Sequence, residues 1–267
     1  MITSTSNPKI KNVRALQKRG RVRQEEQAFV VEGVRLAEEA VGAGWVPIIA
    51  FHTQDLSPRG QDLLLRLHQL NVQIEPVEPH VMQAASDTRS PQGILLKLPL
   101  APLMIPGKPS FILVLDQLRD PGNLGTILRS ALAAGVDAVL LSPGCVDALS
   151  PKVLRAGMGA HFRLPVSSLS WEEIGQRVHR HELQVLLAAA DEGQVYLDTD
   201  MRIPTALLIG GETSGAGAHA KRLATSQIHI PMPGNAQSLN AAVAAAVLMF
   251  EVVRQRQRGF ADQGSMA

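Results

Sequence analysis

Residues 99–109, Pro-Leu-Ala-Pro-Leu-Met-Ile-Pro-Gly-Lys-Pro, hold four prolines and a glycine. Each proline lacks a backbone N–H and fixes its own φ, so neither a helix interior nor a central strand survives that density. The stretch divides the 267-residue chain into a first domain over 1–98, a linker over 99–109 and a second domain over 110–258. The polar end, 259–267, reads as a flexible tail. Both halves can build a core, because 45% of the residues are apolar. Aromatic residues make up only 3%, six Phe, two Trp and one Tyr, so the cores must be aliphatic. A stacking platform for single strands, which uses rows of Phe and Tyr, is excluded.

On each side of the break the pattern alternates between strand and helix. In the first domain Asn7-Pro8 starts a helix to about Arg19, followed by strands at 29–31, 48–51, 72–74 and 94–98. Helices are expected over 32–43 and 57–70, the latter with Leu63, Leu64, Leu67 and Leu70 on one stripe. The second domain opens with the fully apolar strand Phe111–Leu115 and reads βαβαβαββα, ending in an alanine-rich helix from Ser238 to about Arg256. That order implies an α/β fold with a parallel sheet covered on both faces. The arginines near the end of the last helix, Arg254, Arg256 and Arg258, read as a solvated end.

Charge is unevenly placed. Residues 1–24 carry Lys9, Lys11, Arg14, Lys18, Arg19, Arg21 and Arg23 and no acidic group, although the chain as a whole holds 26 basic and 24 acidic residues. A basic arm on a mildly acidic body suits a polyanion such as RNA, or else forms a solvated helical surface. One cysteine, Cys145, rules out a disulfide scaffold and a thiolate zinc site and fits a reducing cytoplasm. The histidines show no metal-ligand spacing, so no metal is expected. No apolar run is long enough to span a membrane, and no signal peptide is apparent.

Three segments carry chemistry. Asp120-Pro-Gly-Asn-Leu-Gly-Thr-Ile-Leu-Arg129 follows a buried strand and opens a helix, at the sheet edge where α/β proteins bind ligands. Asp120 and Pro121 can serve simply as a helix start. Arg129 leans back toward Gly125 and aims a guanidinium at the loop holding Asn123, as an anion or ribose-phosphate clamp does. Leu208-Ile-Gly-Gly-Glu-Thr-Ser-Gly215 runs a strand into glycines around a lone acid, Glu212; it is either a tight turn or a place where backbone meets a ligand. Ile228-His-Ile-Pro-Met-Pro-Gly-Asn-Ala-Gln-Ser-Leu-Asn240 is a loop whose prolines leave main-chain groups free to bond an adenine edge, with Ser238 a candidate N-cap.

In this order the segments resemble the SpoU (TrmH-like) family of RNA ribose 2′-O-methyltransferases. Asn123, Gly125 and Arg129 match N-x-G-x-x-x-R; Gly210, Glu212 and Gly215 match G-x-E-x-x-G; and Ile230, Pro231, Met232, Gly234, Ser238, Leu239 and Asn240 match I-P-M-x-G then S-L-N. Ser150–Arg155 and Gly159-Ala160 look like the family's middle segment. Ser6–Ile10, Phe29–Gly33 with Arg35, and Ser90–Gly93 resemble its attached substrate-binding domain, whose fold is like a small ribosomal protein. Gly211, Thr213, Ala216, Gln237 and Ala241-Ala242 depart from residues common in the family and bear on target choice, while the arginine, the acid and the S-L-N run are intact.

The resemblance implies a SPOUT domain with a deep trefoil knot that pairs as a homodimer through the knotted domain. It implies S-adenosylmethionine held by Gly210, Ile230, Met232, Ser238 and Leu239, and a catalytic set of Arg129, Asn123, Glu212 and Asn240. Together with the basic arm it implies RNA contacts at Lys9, Lys11, Arg14, Arg35 and Arg129. Ribosomal RNA is the favoured substrate, with transfer RNA, a catalytically silent RNA-binding protein and base methylation as alternatives.

Overall fold

A computed structural model describes residues 1–211, 215–234 and 237–264, with side chains through 257. It separates into two compact units, Met1–Ala101 with Leu149–Phe162, and Pro102–Ala148 with the chain from Arg163 onward.

The first unit contains helices α1 (Pro8–Lys18), α2 (Gly20–Glu25), α3 (Val34–Gly42), α4 (Pro58–Gln69) and α5 (Pro79–Ala85). Its strands are β1 (Ala28–Glu32), β2 (Ile49–His52), β3 (Gln73–Pro76) and β4 (Ile94–Pro99), in the sheet order β1-β4-β2-β3. β4 runs antiparallel to both neighbours, and β2 and β3 are parallel. Side chains alternate across the pleat. Phe29 and Val31 of β1 join Leu96 and Leu98 of β4 beneath α3 and α4, while Ala28 and Val30 join Leu95, Phe51 and the buried residues of α1 and α5 on the other face. α1 starts as its sequence predicts: the Asn7 side chain accepts the Lys9 N–H at 2.9 Å, and Pro8 follows. α2 and α5 are short helices that the apolar periodicity does not reveal.

The second unit opens with β5 (Phe111–Leu115), α6 (Pro121–Ala133) and β6 (Ala138–Leu141). The chain then enters 149–162, with helix α7 (Pro151–Gly157), which folds with the first unit although the sequence alone leaves it in the second domain. The cause is packing. Leu154 and Phe162 are buried in the first core, Trp45 stacks edge-on with both Phe29 and Phe162, and its indole N–H donates to the Phe162 carbonyl at 3.1 Å. Three of the scarce aromatic rings are thus spent on this core.

The second unit continues with β7 (Val166–Ser168), α8 (Trp171–Arg180), β8 (Gln184–Ala189), β9 (Gln194–Val195), β10 (Thr205–Ile209), α9 (Ala218–Leu223), β11 (Ser226–His229) and α10 (Ala241–Gly264). The sheet order is β7-β6-β5-β10-β8-β11-β9, and every pairing is parallel. β5 and β10 lie in its middle and are buried at every position, as strands covered on both faces must be. α8 and α9 pack on one face, and α6 and α10 pack against each other. β7, β9 and α9 are too short to announce themselves in sequence. Among the described residues no helix is long and apolar enough to cross a membrane.

Three sequence expectations fail at the last helix. It begins at Ala241 rather than Ser238, because the Asn240 side chain accepts the N–H groups of Ala242 and Val243 (2.9 and 3.3 Å) and is the N-cap. It extends to Gly264, so 259–264 are helical rather than a loose tail. Its arginines are not a solvated end either. Arg254 forms a fork with buried Glu251, and Arg256 reaches the carbonyls of Met201, Ile203 and Ser110 and lies over the Phe111 ring. Burial lowers the Arg256 guanidinium from its ordinary value. The Arg258 side chain lies outside the described residues.

Candidate active site

The carboxyl ends of β8, β10 and β11 open into a pocket of about 440 Å³, within the range that takes small-molecule cofactors. Ala188, Ala189, Ala190, Ile209, Ile228 and Leu248 form apolar wall, and Gly210, Gly211 and Gly215 bring main chain to its edge. The loop after β11 adds Ile230, Met232, Ser238, Leu239 and Asn240. All five residues predicted to hold the cofactor, Gly210, Ile230, Met232, Ser238 and Leu239, therefore line one pocket. Glu212 lies outside the described residues.

Glycine is required here. A Cβ on Gly210 would lie 2.5 Å from the Ala216 nitrogen and the Gly215 carbonyl carbon, and one on Gly211 would lie 2.7 Å from the Gln117 oxygen. No described lining residue is charged, so the pocket offers nothing to neutralise a pyrophosphate. Apolar walls with main-chain donors and acceptors suit an adenosine bearing an amino-acid arm, and S-adenosylmethionine fits this donor set.

Asn123 and Arg129 are on α6. The Asp120 side chain accepts the Asn123 N–H at 2.8 Å and caps the helix. The Asn240 amide nitrogen donates to the Asn123 side-chain oxygen at 3.0 Å, joining residues from two distant sequence motifs. Asn240 thus caps α10, lines the pocket and holds Asn123. Arg129 is exposed, with no partner among the described residues. Gly125 is buried in the packed face of α6 and serves helix packing.

The basic arm of the first unit sorts into three kinds of side chain. Arg23 is buried and donates to the Leu16 and Gln17 carbonyls at the end of α1. Lys9 pairs with Glu75, which holds that carboxyl below its usual range, and Arg21 pairs with Glu25 at 2.6 Å. Lys11, Arg14, Lys18 and Arg19 converge on one open groove, without a carboxylate partner among the described residues. Lys9 is therefore less available to an anion than its place in the sequence suggests.

Arg35 is exposed on the first turn of α3 and lines a different pocket, of about 250 Å³, with Ser90, Thr88, Gln92 and Arg155. Glu32 shapes it by accepting the Asp87 N–H and the Thr88 hydroxyl, and the Gln92 side chain accepts the Val34 N–H at 3.0 Å. Arg155 reaches Asp87 at 2.8 Å. The three segments Glu32–Arg35, Ser90–Gly93 and Ser150–Arg155 are thereby brought together.

Sequence reasoning missed the alanine wall at 188–190 and Asp116, a lone acid directly after five apolar strand residues, which was the signal available for it. Burial pushes the Cys145 thiol up, in keeping with an inert side chain. Among the described residues no group of three His, Cys, Asp or Glu is placed to hold a metal ion.

Comparison with known proteins places this geometry. Residues 110–250 match the SpoU rRNA Methylase family, and residues 7–96 match the MRM3-like substrate binding domain. An uncharacterized tRNA/rRNA methyltransferase of Synechocystis is 34% identical over 96% of this chain and 94% of its own. The 23S rRNA (guanosine(2553)-2′-O)-methyltransferase RlmP of Bacillus subtilis is 32% identical over 94% of this chain and 98% of its own. Among solved structures, the SpoU methyltransferase AviRb of Streptomyces viridochromogenes in complex with AdoMet superposes with a TM-score of 0.85 at 28% identity, over 94% of this chain and 100% of its own.

Proposed function

Because the chain belongs to the SpoU rRNA methylase family, we propose that it transfers a methyl group from S-adenosylmethionine to a ribose 2′-hydroxyl of ribosomal RNA. The observation that carries this reading is the uncharged, glycine-edged pocket whose lining residue Asn240 bonds Asn123 at the start of the helix bearing Arg129. Gly210, Ile230, Met232, Ser238 and Leu239 hold the cofactor. Bound there, S-adenosylmethionine supplies an electrophilic methyl group whose leaving thioether is neutral and needs no acid.

The tasks left to the protein are alignment and removal of the hydroxyl proton. A guanidinium has almost no neutral form at pH 7 and is a poor base. Exposed Arg129 instead grips a phosphate of the target nucleotide and lowers the pKa of the adjacent 2′-hydroxyl, while a phosphate oxygen or water takes the proton. Asn123, fixed by Asn240, orients the ribose, and Glu212 positions its loop or the substrate. A 2′-hydroxyl requirement excludes DNA.

In the first unit Lys11, Arg14, Lys18 and Arg19 bind RNA phosphates, Arg35 adds a contact at the second pocket, and Lys9 contributes only by exchanging its partner Glu75. The family's trefoil knot belongs to the part of the sheet where β10 lies between β5 and β8 and the loops after β10 and β11 share one pocket. Val243 and Phe250, about half exposed and seven residues apart on α10, supply an apolar stripe for homodimer pairing. The lone cysteine suits the reducing cytoplasm.

The test is to map ribose methylation on unmodified ribosomal RNA transcripts incubated with the protein and S-adenosylmethionine. One new 2′-O-methyl nucleotide is expected. Arg129→Ala should lower turnover by at least about 10³-fold, the scale of losing a group that acts only in the transition state, and leave cofactor affinity unchanged. Methylation confined to transfer RNA, or full turnover in the Arg129 variant, would refute the reading.

A further inference from the structure

Asp116 is 0% exposed and makes no ion pair among the described residues. A buried carboxyl group in that position must be held by hydrogen bonds. It accepts the Ser142 hydroxyl at 2.9 Å through Oδ1 and the Gly217 N–H at 2.7 Å through Oδ2. The Ser142 oxygen in turn accepts the Gln117 N–H at 3.1 Å, which closes a small ring of bonds around the corner after β5. Gln117 adopts φ +51° in that corner, a left-handed conformation that a non-glycine residue holds only when its surroundings impose it.

The corner touches both ends of the glycine segment beside the cofactor pocket. The Gln117 oxygen lies where a Cβ on Gly211 would come within 2.7 Å, and Asp116 Oδ2 where a Cβ on Gly217 would come within 3.2 Å. The Asp116 N–H also donates to the Ile209 carbonyl at 2.9 Å, at the point where β10 gives way to Gly210. Four residues after Asp116, Asp120 caps α6, the helix of Asn123 and Arg129.

From this geometry, and resting on the methyltransferase reading above, we propose that Asp116 is a positioning residue that fixes Gly211 and Gly217 against the start of α6, and so sets the distance between bound cofactor and the ribose held by Asn123. It touches neither ligand. Its effect on the reaction passes through Gly217 and Gly211.

Two substitutions approach this bond from opposite sides. Asp116→Ala removes both acceptors. Gly217→Pro removes the donor and sets ring carbons against Asp116 Oδ2, so it breaks the same bond from the other side, at a position where φ is −73° and suits proline, on the partly exposed N-cap of α9. Asp116→Asn is the conservative control. Its oxygen can take the Gly217 N–H and its nitrogen can donate to Ser142, whose hydroxyl hydrogen then turns to the Pro143 carbonyl at 3.3 Å.

The full chain is measured by calorimetry with S-adenosylmethionine alone and by initial rates on unmodified ribosomal RNA transcripts. Asp116→Ala and Gly217→Pro should each raise Kd and KM for the cofactor at least about tenfold and lower kcat, with KM for RNA within about twofold of the unaltered protein. Asp116→Asn should return all three to within about threefold. A merely structural role would lower Tm and leave the kinetics of the folded fraction unchanged. Unaltered cofactor KM in Gly217→Pro, or an asparagine variant as impaired as the alanine one, overturns the proposal. Failure of the unaltered protein to bind S-adenosylmethionine overturns the functional reading itself, and this inference with it.

Discussion

The pocket in the second unit is walled by main chain and small or aliphatic side chains with no charged side chain among its described lining, whereas the groove in the first unit is lined by lysine and arginine without a carboxylate partner among the described residues. The difference follows from what each must bind. A cofactor of fixed shape is best held by backbone, which loses little entropy on binding and offers donors and acceptors at set positions. A polyanion of variable path is best held by long cations, whose binding releases counterions whatever the detailed geometry. Shape carries the second unit and charge carries the first, and the two should fail in different ways.

The strongest test of the contrast is a single methyl group. In Gly210→Ala the new Cβ meets backbone atoms at 2.5 Å, and backbone cannot swing aside as a side chain does. Cofactor affinity should fall at least about 30-fold, roughly 2 kcal/mol, while RNA affinity stays within about twofold. Equilibrium binding of each ligand separately reads this out. A variant that binds S-adenosylmethionine normally would show that backbone shape does not govern the pocket.

The corresponding change in the first unit is the joint replacement of Lys11, Arg14, Lys18 and Arg19 by alanine. No core contact is lost, so Tm should be nearly unchanged. RNA affinity near physiological salt should drop about 10- to 100-fold, and the slope of log Kd against log salt should flatten by about 3, close to 0.7 per phosphate contact for single strands. Cofactor affinity should not move. An unchanged salt slope would mean that these four side chains are only a solvated face. Adding Lys9→Ala should change little more, because Lys9 is already paired with Glu75.

This contrast also governs what could be read from the amino acids alone. Shape-based sites leave glycine and proline at fixed spacing, and the segments around Gly210 and Ile230 are legible for that reason. The buried strands Phe111–Leu115 and Ala206–Ile209 are legible because a strand covered on both faces is apolar throughout. Charge-based sites are less legible, since a lysine in sequence does not say whether a carboxylate waits for it. Lys9, Arg21 and Arg23 looked like Lys11 and Arg14 until Glu75, Glu25 and the end of α1 were placed. The membership of 149–162 depended on Trp45 and Phe162, more than 100 residues apart, and no local pattern reports such a contact. Ser238 is the cap that residue type suggests, and only the tertiary structure puts Asn240 in that role.

Asn240 joins the pocket loop to α6 within the second unit, and it gives the smallest expected effect. Its oxygen caps α10 and its nitrogen bonds Asn123, so Asn240→Ala should cost about 1 kcal/mol of stability from the cap alone. Activity should change separately, through Asn123. A double-mutant cycle of Asn123→Ala and Asn240→Ala on kcat/KM isolates that link, because the capping loss appears in both arms that carry Asn240→Ala and cancels. If the pocket loop aligns the ribose through this bond, the coupling should be about 1 kcal/mol, a factor of roughly five. Strict additivity would mean that the cofactor loop and α6 act independently. Their spacing would then rest on the Asp116 corner alone, and the variants at Asp116 and Gly217 should show the larger share of the loss.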